Sequence, residues 1–227
     1  MNDDLSVPDV YAATREELVA LALGLDEDQR AATVPMSPEW TVTDVIAHVA
    51  GIVADIVAGN VAGAGTQQWT AAQVYTRRGR SVEELSTEWR SHSDAIHTIM
   101  SANRAGAVRA TADLVAHVHD IAATVGASCD RESDGVNVGL ERYVPLFFER
   151  VTDAGLAPIR VDVGDGAWQS SDGSAGATVC GSRFEIFRTL SGRRSLAQAR
   201  RLEWAGEAQP YLGLITPYGL PSEDVVE

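Results

Sequence analysis

Apolar residues recur at a spacing of about 3.6 through the first two thirds of this chain and then change, after Gly155 and Pro158, to strict alternation. That change constrains the fold more than any other feature. The first pattern gives each helix one buried stripe, and the second gives a strand one buried face. The 227 residues are therefore expected to form a mainly α protein, with a helical bundle over residues 1–155 and a small α/β domain over residues 156–227.

Local signals divide the bundle. A first helix is predicted from Pro8 to Leu23, burying Leu18, Leu21, Ala22 and Leu25. Thr41 and Asp44 have the form of a capping box with Asp in place of Glu. They open a second helix that turns Val45, Val49, Ile52, Val53 and Ile56 inward and ends near the Gly59–Gly65 stretch. The residues from there to Gly79 read as a connection. Ser81 and Glu84 cap a third helix to about Ser101, whose inner row is Val82, Leu85, Trp89, His92, Ile96 and Ile99. A fourth spans Ala107 to Val125 before Gly126, and a fifth spans Gly135 to Ala154, where Pro145 predicts a kink or a split. Beyond Pro158, Ile159, Val161 and Val163 alternate as a strand, Gly164-Asp165-Gly166 is a turn, and residues 176–180 form a second strand. Ser182 with Glu185 and Ser195 with Gln198 cap two short helices, and Leu202 to Tyr211 reads as strand and turn.

The 18 basic and 32 acidic side chains give a net charge of −14, and no lysine occurs, so every basic side chain is arginine. A field of that sign repels phosphate backbones and anionic lipid, which makes nucleic acid and membrane surfaces poor partners. No apolar run approaches the roughly 18 residues of a membrane span. The start, Met1-Asn2-Asp3-Asp4, lacks the basic opening of a secretory signal, so a cytoplasmic protein is expected. Cys129 and Cys180 are too few for a disulfide scaffold or a cysteine-based zinc site, which leaves His and carboxylate to hold any metal.

Five histidines are present: His48, His92, His97, His117 and His119. Residues four apart on a helix differ by about 40° in azimuth, so Asp113 and His117 project side by side. Asp120 continues that stripe, while His119 lies about 160° from His117 and points elsewhere. The stripe adjoins Leu114, Val118 and Ile121 and therefore faces the bundle interior or its rim. An uncompensated carboxylate and imidazole are costly to bury, and a divalent cation would offset that cost. Two ligands from one helix and a third from a facing helix suit a catalytic zinc site with open positions. His48, three after Val45 and four before Ile52, is the best third ligand. The alternative is a plain buried Asp–His contact. His92 reads as a core histidine, His97 as solvated, Asp44 as a helix N-terminal charge, and Asp120 as a group that orients His117 or a water. Cys180 stands between a strand and a helix N-terminus, where a thiolate would be stabilised, though strand-end packing is the preferred reading. Arg78 and Arg80 before the third helix, and Arg188 in the C-terminal part, are candidate clamps for a substrate carboxylate, against surface pairing with the many acids. Neither a G-x-S-x-G nucleophile motif nor a phosphate-binding P-loop occurs.

The run Glu39-Trp40-Thr41-Val42-Thr43-Asp44-Val45-Ile46-Ala47-His48-Val49-Ala50-Gly51 resembles the first signature of the mycothiol-dependent maleylpyruvate isomerase family. Asp113-Leu114-Val115-Ala116-His117-Val118-His119-Asp120 resembles its second, acid-x-x-x-H-x-x-D. Phe184-Glu185-Ile186-Phe187-Arg188 and the run from Gly192 to Gln198 resemble its smaller C-terminal domain, so the likeness touches nearly the whole chain. The resemblance implies a DinB-like four-helix bundle with zinc held by His48, Asp113 and His117, where the founding members carry glutamate in place of Asp113. It implies mycothiol as the thiol cosubstrate, held as a thiolate that adds to an activated cis double bond. Rotation and elimination then release the trans isomer, with arginines steadying the substrate carboxylates and the enolate. An isomerase or S-transferase acting on a small electrophilic, carboxylate-bearing substrate is therefore expected. The alternatives are a non-catalytic ligand-binding or regulatory protein on the same scaffold, or a metal-dependent hydrolase with Asp120 as base. The lysine-free, Ala/Val/Gly/Arg-rich composition points to a GC-rich, actinobacterial source, and two-fold association is the general expectation for such proteins.

Overall fold

The computed structural model describes residues 6–227 and divides into two compact units, one ending at Cys129 and the other running from Asp130 to Glu227. The first unit contains α1 (Val7–Leu23), α2 (Glu27–Ala31), a hairpin of β1 (Thr33–Val34) and β2 (Ser37–Thr41), then α3 (Val42–Ala58), α4 (Gln67–Arg77), α5 (Val82–Ser91), α6 (Ser93–Ala102) and α7 (Arg104–Val125). Four helical columns build the bundle: α1, α3, the pair α5–α6, and α7. Helix α1 packs on α7, α5 and α6, and α3 packs on α5, α6 and α7. Leu18, Val45, Val49, Val53, Leu85, Trp89, Ala112 and Ile121 fill the space between them. Trp89 and Tyr11 meet edge to face at 6.5 Å, and the indole Nε1 donates to the Tyr11 hydroxyl at 3.0 Å, so two large buried rings keep no unpaired polar atom between them.

Three features of this unit depart from the sequence pattern. The predicted third helix is broken at His92, whose backbone (φ −96°, ψ 6°) ends α5 and begins α6. The hydroxyls of Ser91 and Ser93 donate to the carbonyls of Glu88 and Arg90, each at 2.6 Å, and such side chains compete with the helical ladder. The break shifts the stripe, so Ile96 and Met100 are buried, Ile99 is exposed, and His92 lies half-buried at the joint instead of in the core row. The segment predicted as connection contains α4, capped by the Thr66 hydroxyl accepting from the Trp69 amide at 3.3 Å. Of its residues only Gln73 and Val74 are buried, too few to make a periodic signal. The α2 helix and the β1–β2 hairpin, both short, also escape periodicity.

The second unit holds α8 (Asp134–Asp153), β3 (Ile159–Asp162), β4 (Ala167–Gln169), β5 (Ala177–Cys180), α9 (Arg183–Leu190), α10 (Leu196–Arg201), β6 (Glu203–Gly206) and α11 (Gln209–Leu212). Its sheet has the order β4-β3-β5-β6, with β3 and β5 parallel and both edges antiparallel. Helix α8 groups with this unit, so the division falls ahead of α8, where the change of period near residue 155 follows it. It packs on α9 and β3 because Gly139 lets Phe187 lie directly on its backbone. Pro145 does not split α8: it sits on the exposed side, where the carbonyl one turn back can turn to water. At the end of β5 the Cys180 thiol is pushed up by burial and by the carboxylates of Glu203 and Asp162, not activated by the following helix, and burial raises Cys129 to about 11.

A Cβ at position 139 would lie 2.5 Å from two ring carbons of the buried Phe187, so Gly139→Ala should cost about 1–3 kcal/mol, read as a lower urea midpoint. Cys180 should react with Ellman's reagent more slowly than free cysteine at neutral pH. Its rate should still be climbing at a pH where free cysteine has levelled off.

Candidate metal centre

The site begins with the cap of α3. The Thr41 hydroxyl accepts from the Asp44 amide at 3.1 Å, and the Asp44 carboxylate accepts from the Thr41 amide at 3.0 Å. This reciprocal box fixes where α3 starts and spends Asp44 on the cap, as its position suggested. His48 follows on the buried stripe with Val45 and Val49. On α7, Asp113, His117 and Asp120 share one side, as their spacing predicts.

Packing of α3 against α7 brings the three groups together. One donor atom from each of His48, Asp113 and His117 lies within 4.8 Å of the other two. The Nε2 of His48 is 3.8 Å from Asp113 Oδ2, and the Nε2 of His117 is 3.9 Å from Asp113 Oδ1. The two imidazoles stand nearly perpendicular, 5.4 Å apart, and Trp40 covers His48 at 4.9 Å. Both histidine side chains are buried, at 5% and 6% exposure, whereas Asp113 is 38% exposed and forms the open side of the cluster. Burial pushes the His48 imidazole down to about 4 against the opposing pull of Asp113, so it is neutral at pH 7. His117 Nδ1 is buried and makes no hydrogen bond among the described residues; Asp120 Oδ2 faces it at 3.5 Å.

A tetrahedral zinc ion with bonds of roughly 2.0–2.2 Å needs donors about 3.3 Å apart. The two imidazole–carboxylate separations exceed that by about half an ångström, and the whole set lies within 4.8 Å, so side-chain rotation has to draw the donors inward around an ion. Two imidazole nitrogens and one carboxylate, with one side open, are a donor set that could hold a divalent cation, and Asp113 faces both imidazoles although it is one methylene shorter than glutamate.

Sequence reasoning missed Gln73. From α4 its Oε1 lies 2.8 Å from His48 Nδ1, and its Nε2 donates to Asp55 Oδ2 at 2.9 Å. Gly51 makes this approach possible, because a Cβ there would lie 2.6 Å from the Gln73 Cβ. The polar H-x-x-G-x-x-x-D spacing of His48, Gly51 and Asp55 along one side of α3 was the available signal.

The remaining candidates lie elsewhere. His97 is exposed and meets Asp9 at 3.1 Å, and His119 is buried outside the donor cluster. Arg80 is ion-paired with Glu88, which also takes Arg77 at 2.7 Å. Arg78 is exposed, with its guanidinium 5.8 Å from the Tyr75 ring. Arg188 is fully buried and binds the Glu227 carboxylate, which also accepts from Arg194 at 3.1 Å. Among the described residues no helix is long and apolar enough to cross a membrane.

Comparison with known proteins bears on the fold and on the N-terminal part of the chain. The fold matches a crystal structure of mycothiol-dependent maleylpyruvate isomerase in a histidine-to-alanine variant, with a TM-score of 0.60 at 13% identity over 88% of this chain and 92% of that one. It also matches a crystal structure of the mycothiol-dependent maleylpyruvate isomerase, with a TM-score of 0.54 at 15% identity over the same shares. A search of curated proteins gives no match. The family described as the mycothiol maleylpyruvate isomerase N-terminal domain matches residues 11–112, a span that includes His48 and stops one residue short of Asp113. Residues 11–112 thus match the model of the mycothiol maleylpyruvate isomerase N-terminal domain, and the chain shares the fold of the mycothiol-dependent maleylpyruvate isomerase.

Proposed function

We propose that the protein is a metal- and thiol-dependent enzyme, in which His48, Asp113 and His117 hold a divalent cation, zinc in the first instance, and mycothiol is the thiol cosubstrate. Its reaction is isomerisation of, or S-transfer to, a small electrophilic substrate bearing a carboxylate. The observation that carries the proposal is the convergence of two buried imidazole nitrogens and a half-open carboxylate within 4.8 Å. The match of residues 11–112 to the isomerase N-terminal domain model supports the choice of thiol. A bound zinc would supply Lewis acidity, holding a thiol sulfur as thiolate at neutral pH.

The chain's own groups have separate tasks. His48 and His117 present Nε2 toward Asp113, and burial keeps His48 neutral and able to donate its lone pair. Trp40 shields the His48 ring from water. Asp120 faces the opposite nitrogen of His117, a position from which it orients that ring; this disfavours its use as the base of a hydrolase. The open side at Asp113 is where thiol and substrate enter. Arg78 offers an exposed guanidinium for a substrate carboxylate, whereas Arg188 would first have to release Glu227. Dependence on mycothiol would favour a cytoplasmic location.

Protein purified without a metal-binding tag should contain about one zinc per chain by elemental analysis, the stoichiometry of a single catalytic site, and both His48→Ala and His117→Ala should lose it. Zinc should raise the melting temperature of the wild type and leave both variants unmoved. Absence of metal after reloading the wild type would overturn the metal assignment. The loaded protein should also bind mycothiol in a calorimeter. A loaded protein that neither binds mycothiol nor converts a thiol-reactive substrate would rule out the enzymatic assignment.

A further inference from the structure

We propose that Asp55 and Gln73 form a directional hydrogen-bond relay that fixes His48 in the tautomer carrying its proton on Nδ1, leaving the Nε2 lone pair aimed into the donor cluster. The relay starts at a carboxylate. Asp55 accepts from Asn60 Nδ2 at Oδ1 and from Gln73 Nε2 at Oδ2, both at 2.9 Å. A carboxylate only accepts, so the amide end of Gln73 that faces Asp55 must be its NH2. The other end, Oε1, then faces His48 Nδ1 at 2.8 Å. An amide oxygen also only accepts, so the imidazole proton must sit on Nδ1. Each step leaves the next group one choice.

That choice opposes what the rest of the cluster would select. Asp113 Oδ2 lies 3.8 Å from His48 Nε2, and a carboxylate on that side favours a proton on Nε2, where it would block coordination. The relay from the opposite side of the ring reverses the preference. Gln73 is buried, so no water competes for its amide, and it reaches the ring because the stripe His48, Gly51, Asp55 has no side chain at its centre. Asp55 and Gln73 are thus positioning residues that act through His48.

The consequence for metal affinity rests on the metal-binding proposal above, but the tautomer does not, and the two are tested separately. In metal-free, full-length protein with 15N-labelled histidine, long-range 1H–15N correlation spectra distinguish Nδ1–H from Nε2–H imidazoles, and a His48→Ala sample identifies the His48 signals. His48 should be a single Nδ1–H tautomer in the wild type. Asp55→Asn keeps the shape but lets the amide run either way, so the spectrum should show a mixture. Gln73→Leu should move His48 toward Nε2–H. A wild-type Nε2–H signal, or one tautomer unchanged in both variants, would overturn the relay. Competition with a chromophoric chelator should then show zinc bound roughly 10–100-fold more weakly by Asp55→Asn than by the wild type. Equal affinities would remove the relay's part in metal binding. A wild type that binds no zinc, yet shows the stated tautomers, would sink the metal assignment and leave the relay standing.

Discussion

Bringing two imidazoles and a carboxylate together in an apolar bundle carries a desolvation cost that the surrounding residues must offset, and much of the first unit is arranged around that cost. His48 answers it in three ways: it stays neutral, it spends Nδ1 on Gln73, and it lies against Trp40. His117 has no such hydrogen bond on its Nδ1 and faces Asp120 instead. Asp113 keeps contact with water. The cluster is therefore polar toward its open side and tightly held on the closed side, which suits a site that must admit a ligand.

Helix α3 is the pivot of that arrangement. Its capping box sets the phase of the helix, and that phase places Val45, Val49 and Val53 in the core and His48, Gly51 and Asp55 along a neighbouring stripe. Against the stripe lie two helices with different tasks, α7 supplying Asp113 and His117, and α4 supplying Gln73. The absent side chain at Gly51 matters as much as any present one, since a methyl group there would push α4 off the histidine it steadies.

The second unit is organised by arginine. Arg194 takes Glu185 with two bonds, at 2.8 and 2.9 Å, and with Arg188 grips Glu227, while Arg183 ties Asn137 and Asp165. A chain without lysine builds its buried ion pairs from a planar, multidentate cation, which satisfies two acceptors at once. The arginines that looked like substrate clamps in isolation are for the most part already partnered, and Arg78 keeps an exposed guanidinium.

Much was legible from the sequence because it is set within a few residues. The capping boxes at Thr41, Ser81 and Ser195, the buried rows of α1, α3 and α7, and the strand alternation after Pro158 follow from local hydrogen bonding and periodicity. The Asp113–His117 pairing on one side of α7 follows from helix geometry in the same way. The break at His92 comes from serine side chains competing with the backbone, which apolar periodicity does not register. Tertiary structure decided the existence of α4 and the grouping of α8 with the second unit, which depend on contacts between segments remote in sequence. It also decided that Gln73 meets His48, 25 residues away, because only packing of α4 on α3 over Gly51 joins them. Local sequence thus determined which side chains each helix presents. Only the packing of helices determined which of them meet, since an apolar stripe specifies that a side will be buried and not which neighbour will bury it.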